Sequence, residues 1–207
     1  MKRPEKSLSR QRALCPAHAY GHAIGTASQL MRGYFAIGVE KISKQLNVGN
    51  LVRSAHGFGA SFVYTIGAAY ADDETFADTS KATSHVPLYH WVTPDHMQLP
   101  SGCQLVGVEL LDEAIELPSF RHPVCAAYVL GPERGSLSPA IQERCDHIVK
   151  IPTSFCVNVA MAGAITMYDR IVSLGGYPAR PVAAGGPTEA RPAHVHGGRF
   201  TRAKDTA

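Results

Sequence analysis

Short apolar runs alternate with segments of helical periodicity through the middle of the chain. Six runs of five to seven residues are mostly apolar at successive positions rather than at alternate ones. Such runs are typical of strands that are covered on both faces, as in a parallel sheet between two layers of helices. The predicted strands are Tyr34–Val39, Ser61–Ile66, Leu88–Val92, Leu105–Leu110, Val124–Leu130 and His147–Ile151.

Helical segments fill the gaps between these strands, and polar or glycine residues mark their ends. The first helix is expected to begin at a cap formed by Asn47 or Asn50 and to stop at Gly57 or Gly59. Two further helices are predicted, a short one at Ser138-Pro139 and a long one over Val157–Leu174. The alternation of strands and helices predicts one α/β domain of about 145 residues, spanning 31–175.

The two ends of the chain differ from this domain in composition. Residues 1–30 are first basic and then mixed without an apolar period, so they are expected to form a loosely ordered leader. Residues 176–207 are rich in Pro, Gly, Ala, Arg and His, which favours a disordered tail. Because the folded pattern begins near Met31, one hypothesis is that Met31 is the natural start.

The net charge of +3 is unevenly distributed along the chain. Residues 1–12 carry five Lys or Arg against one acid, and 176–207 carry five against two. The intervening 13–175 carry ten against fourteen, so the predicted domain is acidic and its extensions are basic. Electrostatic attraction of an anionic partner such as RNA is therefore expected to come from the ends.

Neither export nor membrane insertion is indicated, since no apolar run approaches eighteen residues and no signal segment follows the first lysines. A cytoplasmic protein with reduced cysteines is expected, because the five cysteines include no Cys-x-x-Cys pair. No metal site is predicted, because neither candidate cluster has the matching second set that a tetrahedral site needs. Those clusters are Cys15, His18 and His22, and His194 with His196.

Three segments place glycines or polar residues where an α/β domain binds ligands. The first is Asn47-Val48-Gly49-Asn50-Leu51-Val52-Arg53, between a strand and a helix. Arg53 is close in sequence to apolar helix positions and need not point into solvent. Its planar guanidinium is suited to a phosphate or a carboxylate. An ion pair with a surface acid is the alternative.

The other two segments follow strands directly. Leu130-Gly131-Pro132-Glu133-Arg134-Gly135 is a tight turn at a strand's carboxyl end, where open α/β sheets bind ligands, although an ordinary turn would look similar. In the segment Ile151–Ala160, a proline turn leads into a helix with Asn158 near its start. Free N–H groups at that start could receive polar atoms of a ligand.

In their order and spacing, the three segments together resemble the SpoU family of the knotted SPOUT methyltransferases. The matching patterns are Asn-x-Gly-x-x-x-Arg, then Leu-Gly-Pro-Glu-x-x-Gly, then Ile-Pro followed by Asn and a helix of small residues. The resemblance covers about Gly33–Leu174. It implies methylation of RNA, either tRNA or rRNA, at a ribose 2′-hydroxyl, with S-adenosylmethionine as cofactor.

The resemblance also implies a deep trefoil knot at the C-terminal part of the parallel α/β sheet and a homodimer with its active site near the subunit interface. It assigns Arg53 and Asn47 to the RNA ribose and phosphate, and Glu133 to holding the loops or Arg53 in place. The residues implied to bind the cofactor are Val108, Glu109, Leu130, Gly131, Ile151, Cys156, Val157 and Asn158.

One segment departs from the family's pattern. The stretch between Ile151-Pro152 and Asn158 is shorter than usual, and Cys156 stands at the position of a serine. A thiol is the poorer hydrogen-bond donor, so any contact made by that serine is in doubt here. Cys156 is interpreted as a small buried residue rather than as a nucleophile, since no histidine lies in its local sequence.

The implied reaction transfers the sulfonium methyl group in line to the hydroxyl, without a metal. A guanidinium stays protonated at ordinary pH, so Arg53 is expected to act as an electrostatic clamp rather than as a general base. Two alternatives remain open from the sequence. One is methylation of an RNA base, and the other is a non-catalytic RNA-binding protein whose cofactor pocket has degenerated.

Overall fold

The computed structural model describes residues 33–69, 84–175 and 177–186. The chain divides into two units, 1–175 and 176–207. In the second unit, the described residues 177–186 form no helix or strand. The predicted leader, Met31, the candidate metal clusters and the end of the predicted tail lie outside the described residues.

The described part of the first unit contains seven strands and three helices. The strands are β1 Tyr34–Glu40, β2 Phe62–Ile66, β3 Leu88–Trp91, β4 Gln104–Val108, β5 Ile115–Glu116, β6 Cys125–Leu130 and β7 His147–Lys150. The helices are α1 Gln45–Phe58, α2 Pro139–Gln142 and α3 Val159–Leu174. Short 3-10 turns lie at Pro94–His96 and Leu117–Ser119.

The strands form one sheet in the order β3-β2-β1-β6-β4-β7-β5, and every neighbouring pair is parallel. The predicted parallel α/β architecture is confirmed, and all six predicted strands are present with ends shifted by at most two residues. The additional strand, β5, has only two residues, too few to show a period. Because all strands run in one direction, their carboxyl ends share one edge of the sheet, where ligands bind in α/β folds.

The start of α1 differs from the sequence prediction. The helix begins at Gln45 behind Lys44, which makes no side-chain cap, so Asn47 and Asn50 lie inside the helix and the predicted caps are wrong. The backbone N–H groups of Ser43 and Lys44 instead donate to the carboxylate of Glu133. A carboxylate stabilises the positive end of a helix from any position in the sequence, which local spacing cannot reveal.

The other helix ends lie close to the predicted ones, except that α3 begins at Val159 instead of Val157, so Asn158 lies outside the helix. Gly59 ends α1 in the left-handed conformation, with φ of 74°. The Ser138 hydroxyl accepts a bond from the N–H of Ile141 at the start of α2. The side-chain oxygen of Asn158 caps α3, accepting from the N–H of Ala160 at 2.9 Å. None of the described helices is long and apolar enough to cross a membrane.

Helices α1 and α3 pack on each other over the apolar face of the sheet. A Cβ atom on Gly163 of α3 would lie 2.5 Å from Cδ1 of Leu51 on α1 and 3.2 Å from Cδ1 of Ile37 on β1. The missing side chain thus lets α3 approach both elements closely. This contact holds the first and third sequence segments side by side.

Gly38 in β1 is the basis of a stability prediction. A Cβ atom there would lie 2.3 Å from the ring of Tyr64, which is fully buried and donates to the carbonyl of Tyr128 at 2.8 Å. The ring cannot move aside without losing that bond, so Gly38→Ala is expected to destabilise the protein by about 2 kcal/mol. The measurement is the free energy of unfolding from urea titration.

A matched control exists within the same chain. Gly57 lies inside α1 with open space around its Cα, so Gly57→Ala should stabilise the protein by about 0.5–1 kcal/mol through helix propensity. Equal effects of the two substitutions would contradict the packing interpretation of Gly38.

A buried polar network closes the amino-terminal edge of the sheet. Arg170 of α3 is fully buried and donates to the carbonyls of Pro123 at 2.6 Å and Val124 at 2.7 Å. His122 bridges the hydroxyl of Tyr128 at 2.6 Å and the carboxylate of Asp169 at 2.9 Å. This network anchors α3 at the edge opposite the ligand-binding one.

Candidate active site

A cavity opens at the carboxyl ends of β4, β6 and β7, the edge that the topology marks for ligands. It is built from three loops that follow these strands and from the first turn of α3. Its lining residues are Val108, Glu109, Leu110, Leu130, Gly131, Pro132, Glu133, Gly135, Ile151, Thr153, Cys156, Val157, Val159 and Ala162. The second and third sequence segments therefore meet around one cavity, although fifteen residues, 136–150, separate them.

Most of the residues that the family resemblance assigned to the site line this cavity. Of the predicted cofactor residues, these are Val108, Glu109, Leu130, Gly131, Ile151, Cys156 and Val157, and the predicted catalytic residue Glu133 joins them. Asn158, Asn47 and Arg53 are not among the lining residues. The first two contact the cavity wall through hydrogen bonds, whereas Arg53 does not contact it.

Glu133 accepts four hydrogen bonds from residues that lie just before α1 or in its first turn. Its Oε2 accepts from the N–H and the hydroxyl of Ser43 at 3.0 and 3.1 Å, and its Oε1 accepts from the N–H of Lys44 and the side chain of Asn47, both at 3.0 Å. Partial burial raises the pKa of Glu133, but these donors and its own N–H together lower it below the ordinary value. The carboxylate therefore stays charged and ties the β6 loop to α1.

Asn47 and Asn158 extend this connection to the third segment. The side-chain oxygen of Asn47 accepts from the side-chain nitrogen of Asn158 at 3.1 Å, while Asn158 also caps α3. The hydrogen-bonded series Glu133–Asn47–Asn158, here termed the amide relay, thus joins one residue from each of the three segments. Asn47 is buried and has no side-chain contact with Arg53.

Glu109 supports the same cavity from the end of β4. Its carboxylate accepts from the N–H of Leu137 at 2.7 Å and from the N–H of Leu110 at 2.9 Å. A Cβ atom on Gly131 would lie 3.0 Å from Oε2 of Glu109 and 3.2 Å from the nitrogen of Leu137. Glycine at 131 therefore lets the β6 loop pack closely against the Glu109 carboxylate and the nitrogen of Leu137, and the backbone of Gly131 faces the cavity.

Arg53 lies on the exposed side of α1, so the expectation that it need not point into solvent is wrong. Six helical positions separate it from Asn47, which puts the two about 9 Å apart along the axis and on different faces. Among the described residues it makes no hydrogen bond or ion pair, so the alternative of a surface ion pair finds no partner there. The guanidinium is free to meet a ligand that approaches from outside the cavity.

Cys156 differs from its predicted environment. It is exposed and lines the cavity, so its interpretation as a small buried residue is wrong. The short stretch 151–158 turns tightly, with the hydroxyl of Thr153 donating to the carbonyl of Phe155 at 2.9 Å, and this turn presents the thiol to the cavity. Within the described residues the thiol has no hydrogen-bond partner and thus no base to activate it.

The sequence reading missed several lining residues. Gly135, with φ of 102°, belongs to the second motif and could have been included on that ground. Thr153 follows β7, whereas Val159 and Ala162 lie in the first turn of α3, and no local pattern states that these two elements line one cavity. Ser43 was missed as well, because it acts through its backbone N–H and its hydroxyl on a residue ninety positions away.

No group of three or more His, Cys, Asp or Glu residues with the proximity of metal ligands occurs in the described ranges. The cavity is lined instead by backbone groups, apolar side chains and two carboxylates that already accept hydrogen bonds from N–H groups. Such a lining suits an organic ligand with apolar and polar parts.

Two examples come from the solved structures that share this fold. One is the SpoU methyltransferase AviRb from Streptomyces viridochromogenes in complex with AdoMet, with a TM-score of 0.62, 19% identity, and coverage of 70% of this chain and 62% of that one. The other is the TrmH/SpoU tRNA modifying enzyme of A. aeolicus, with a TM-score of 0.61, 20% identity, and coverage of 70% and 77%.

Sequence comparison agrees with the structural one. A curated relative, the tRNA (guanosine(18)-2'-O)-methyltransferase TARBP1 of Mus musculus, is 26% identical over 138 residues, which are 62% of this chain and 9% of the mouse protein. The chain thus spans about a tenth of that relative and less than two thirds of AviRb. The sequence profile described as the SpoU rRNA Methylase family matches residues 34–168, and the chain therefore belongs to this family.

Proposed function

We propose that this protein transfers the methyl group of S-adenosylmethionine to a ribose 2′-hydroxyl of RNA. The observation that carries the proposal is the cavity in which the second and third segments meet, with the amide relay fixing the first segment beside it. The mouse relative's name states a 2′-O-methylation of tRNA, and AviRb was crystallised with AdoMet. Both lend support without distinguishing tRNA from rRNA as the substrate of this chain.

The residues around the cavity fit the proposed cofactor. The apolar side chains of Leu130, Ile151, Val157 and Ala162 suit the flat adenine ring, and the bare backbones of Gly131 and Gly135 suit the polar groups of the ribose and the amino acid. When bound, the cofactor supplies an electrophilic methyl group on a sulfonium sulfur. The protein's task is then to position the hydroxyl and to favour loss of its proton.

The three residues that the resemblance assigns to catalysis have distinct parts in the proposed reaction. Arg53 clamps the RNA by pairing with a phosphate beside the target ribose, and its charge stabilises the oxygen as it becomes negative. Asn47 and Glu133 do not reach the substrate and act as positioning residues, because their side chains are engaged with each other and with the start of α1. The proton released from the hydroxyl passes to solvent.

The decisive experiment combines cofactor binding with product analysis. The full chain is incubated with S-adenosylmethionine labelled in the methyl group and with unmodified tRNA or rRNA, and the RNA is digested to nucleosides. Label on 2′-O-methylnucleosides is expected. Label on a methylated base would overturn the ribose assignment in favour of base methylation, and no calorimetric binding of the cofactor would favour the non-catalytic RNA-binding alternative.

We also propose that the chain carries the trefoil knot and acts in the cytoplasm. The insertion of β7 between β4 and β5 supports a knot, because the segment after β7 must return past the loop that joins those two strands. The chain trace of an experimental structure tests this directly.

A cytoplasmic location accords with an RNA substrate, and fractionation of native cells tests it.

A homodimer is proposed from the outer face of α3. Its inner face packs in the core, yet Met161, Ile165 and Tyr168 form an apolar stripe on the outer face with exposures of 60%, 36% and 55%. A helix that is apolar on both faces is typically buried on both. A second copy of the chain is the proposed cover of this stripe.

Charge on the stripe should therefore separate the subunits. The double variant Ile165→Glu, Tyr168→Glu is expected to raise the dimer dissociation constant at least about tenfold, because two charges would have to be buried. Sedimentation velocity measures this. Ile115→Glu is the control, since Ile115 has a similar exposure of 43% outside the stripe. A monomeric wild-type protein, or a double variant that dimerises normally, contradicts the proposal.

A further inference from the structure

Aromatic side chains gather on β3, the strand at one edge of the sheet. Tyr89 and Trp91 lie on the same face, with ring planes within 9° of parallel and centroids 6.4 Å apart. The ring of Phe62, on the neighbouring β2, meets Tyr89 edge-on at 5.6 Å. Tyr89 is 49% exposed, and the other two are half-buried. These three residues are termed the aromatic edge.

The aromatic edge is held rigidly from its inner side. Trp91 packs on the buried ring of Tyr64 at 5.0 Å and joins the cluster that contains Met97 and Leu99. The turn that carries Met97 is fixed in turn by Arg144, whose guanidinium donates to the carbonyls of Pro94 and Met97. The exposed ring faces are thus held in a fixed orientation. The side chains therefore lose little conformational entropy when a planar ligand stacks on them.

Trp91, at one end of the aromatic edge, lies at the edge of the sheet where the cavity opens, whereas Phe62 begins β2 and lies toward the opposite edge. Trp91 ends β3, so it is at the carboxyl-terminal edge, and two strand spacings of about 4.8 Å separate β3 from β1. The loop 41–44 that follows β1 connects the two places. At one end the N–H of Lys41 donates to Ile66 of the neighbouring strand, and at the other the N–H of Lys44 donates to Glu133 in the cavity wall.

This loop carries two exposed cations. The side chain of Lys41 is 61% exposed, and Lys44 is exposed as well. Lys41 adopts the left-handed conformation with φ of 50°, which a non-glycine residue adopts only at a cost. Two cationic side chains therefore lie between the cavity and the flat aromatic rings, and the Nζ of Lys41 is 4.0 Å from the carboxylate of Glu40. Alternating cationic and aromatic groups are the features by which proteins bind single-stranded nucleic acid.

We propose that the aromatic edge stacks an unpaired base of the RNA substrate, while Lys41 and Lys44 hold the phosphates between that base and the methylated ribose. The proposal rests on the proposed function, because it names how the same RNA extends away from the cavity. Stacking on Tyr89 and Trp91 selects a target nucleotide within a loop or single strand rather than within a duplex, since a paired base has no free face. An apolar protein partner at the same rings is the competing occupant.

Trp91 offers a direct reporter, because it is the chain's single tryptophan. The full chain is titrated with a short oligoadenylate and, separately, with heparin, a polyanion without bases. Saturable quenching of tryptophan fluorescence by the oligoadenylate, with none by heparin, is expected. Quenching of equal size by both, or no quenching by RNA, would overturn the proposal and leave the rings to a protein partner.

A pair of substitutions at Tyr89 tests the same contact by activity. Tyr89→Leu keeps apolar surface but removes the ring, and it is expected to raise KM for RNA at least about fivefold with kcat unchanged. Tyr89→Phe keeps the ring and should remain within about twofold of wild type. Cofactor affinity should be unaffected in both, because Tyr89 is not among the residues that line the cavity.

The two proposals fail in different ways. If the wild-type protein methylates RNA and Tyr89→Leu does so with the same KM for RNA, only the stacking site is contradicted. Base-dependent quenching of Trp91 without any methyl transfer contradicts the proposed function and retains the RNA contact. A rise in KM for Tyr89→Phe equal to that for Tyr89→Leu would assign the effect to the hydroxyl and would also overturn stacking.

Discussion

Arg53→Ala is expected to lower kcat for RNA methylation about a hundredfold, while the affinity for S-adenosylmethionine stays unchanged. The guanidinium is exposed on α1 and does not line the cavity, so its removal leaves the proposed cofactor site intact. What is lost is the charge that stabilises the developing oxyanion, a loss typically worth two to three orders of magnitude, or about 3 kcal/mol. Single-turnover methylation and calorimetric cofactor binding measure the two effects separately.

Two further variants sharpen the prediction for Arg53. Arg53→Lys keeps the charge but loses the planar fork, so it should recover only part of the rate, and near-normal activity would contradict the clamp. Arg121→Ala is the control for general loss of positive charge, since Arg121 is also exposed but lies beyond the cavity lining. A decrease in kcat as large for Arg121→Ala would mean that net charge, rather than position, matters.

Glu133→Gln should lower kcat/KM by about a hundredfold through disorder of the site. An amide offers one acceptor oxygen, so the donors that now share two carboxylate oxygens lose part of their partners. The amide nitrogen would also face N–H groups. The start of α1 and Asn47 then shift, and small displacements of positioned groups are enough for such a loss. Steady-state kinetics at saturating cofactor measure it.

The same substitution predicts a dependence of stability on pH. The pKa of Glu133 is lowered in the folded protein, so its charge contributes stability above the unfolded pKa of about 4.3 and loses that contribution as pH falls through the folded value. The destabilisation by Glu133→Gln should therefore be largest near neutral pH and shrink below about pH 4. Glu143→Gln, at an exposed position after α2, should change stability little at any pH. A pH-independent difference between wild type and Glu133→Gln would refute the role of the charge.

The sheet could be predicted from the sequence because its signal is local. Buried parallel strands such as β1 and β6 need apolar residues on both faces, and that requirement is visible within six or seven positions. The Ser138 cap was also a local signal, since Ser138 lies three residues from the N–H whose hydrogen bond it accepts. The family resemblance then named Glu133, Gly131 and Ile151, which line one cavity.

The remaining features depend on contacts between distant segments. The start of α1 was misplaced because its true cap is a carboxylate from the β6 loop. The exposure of Arg53 depends on which face of α1 meets α3, and that of Cys156 on the tight turn that Thr153 makes. The aromatic edge escaped notice for the same reason, because Tyr89 and Trp91 look like ordinary strand residues until β3 is known to be an edge strand.

The amide relay has a consequence for the order in which the protein folds. Its two bonds, Glu133 to Asn47 and Asn47 to Asn158, join residues 86 and 111 positions apart. Contacts of such sequence separation raise the contact order, so the site is expected to form late, after the local elements. S-adenosylmethionine is then expected to slow hydrogen exchange only at backbone amides whose exchange requires the site to open. The reason is that the chain binds it only after the loops of all three segments have come together.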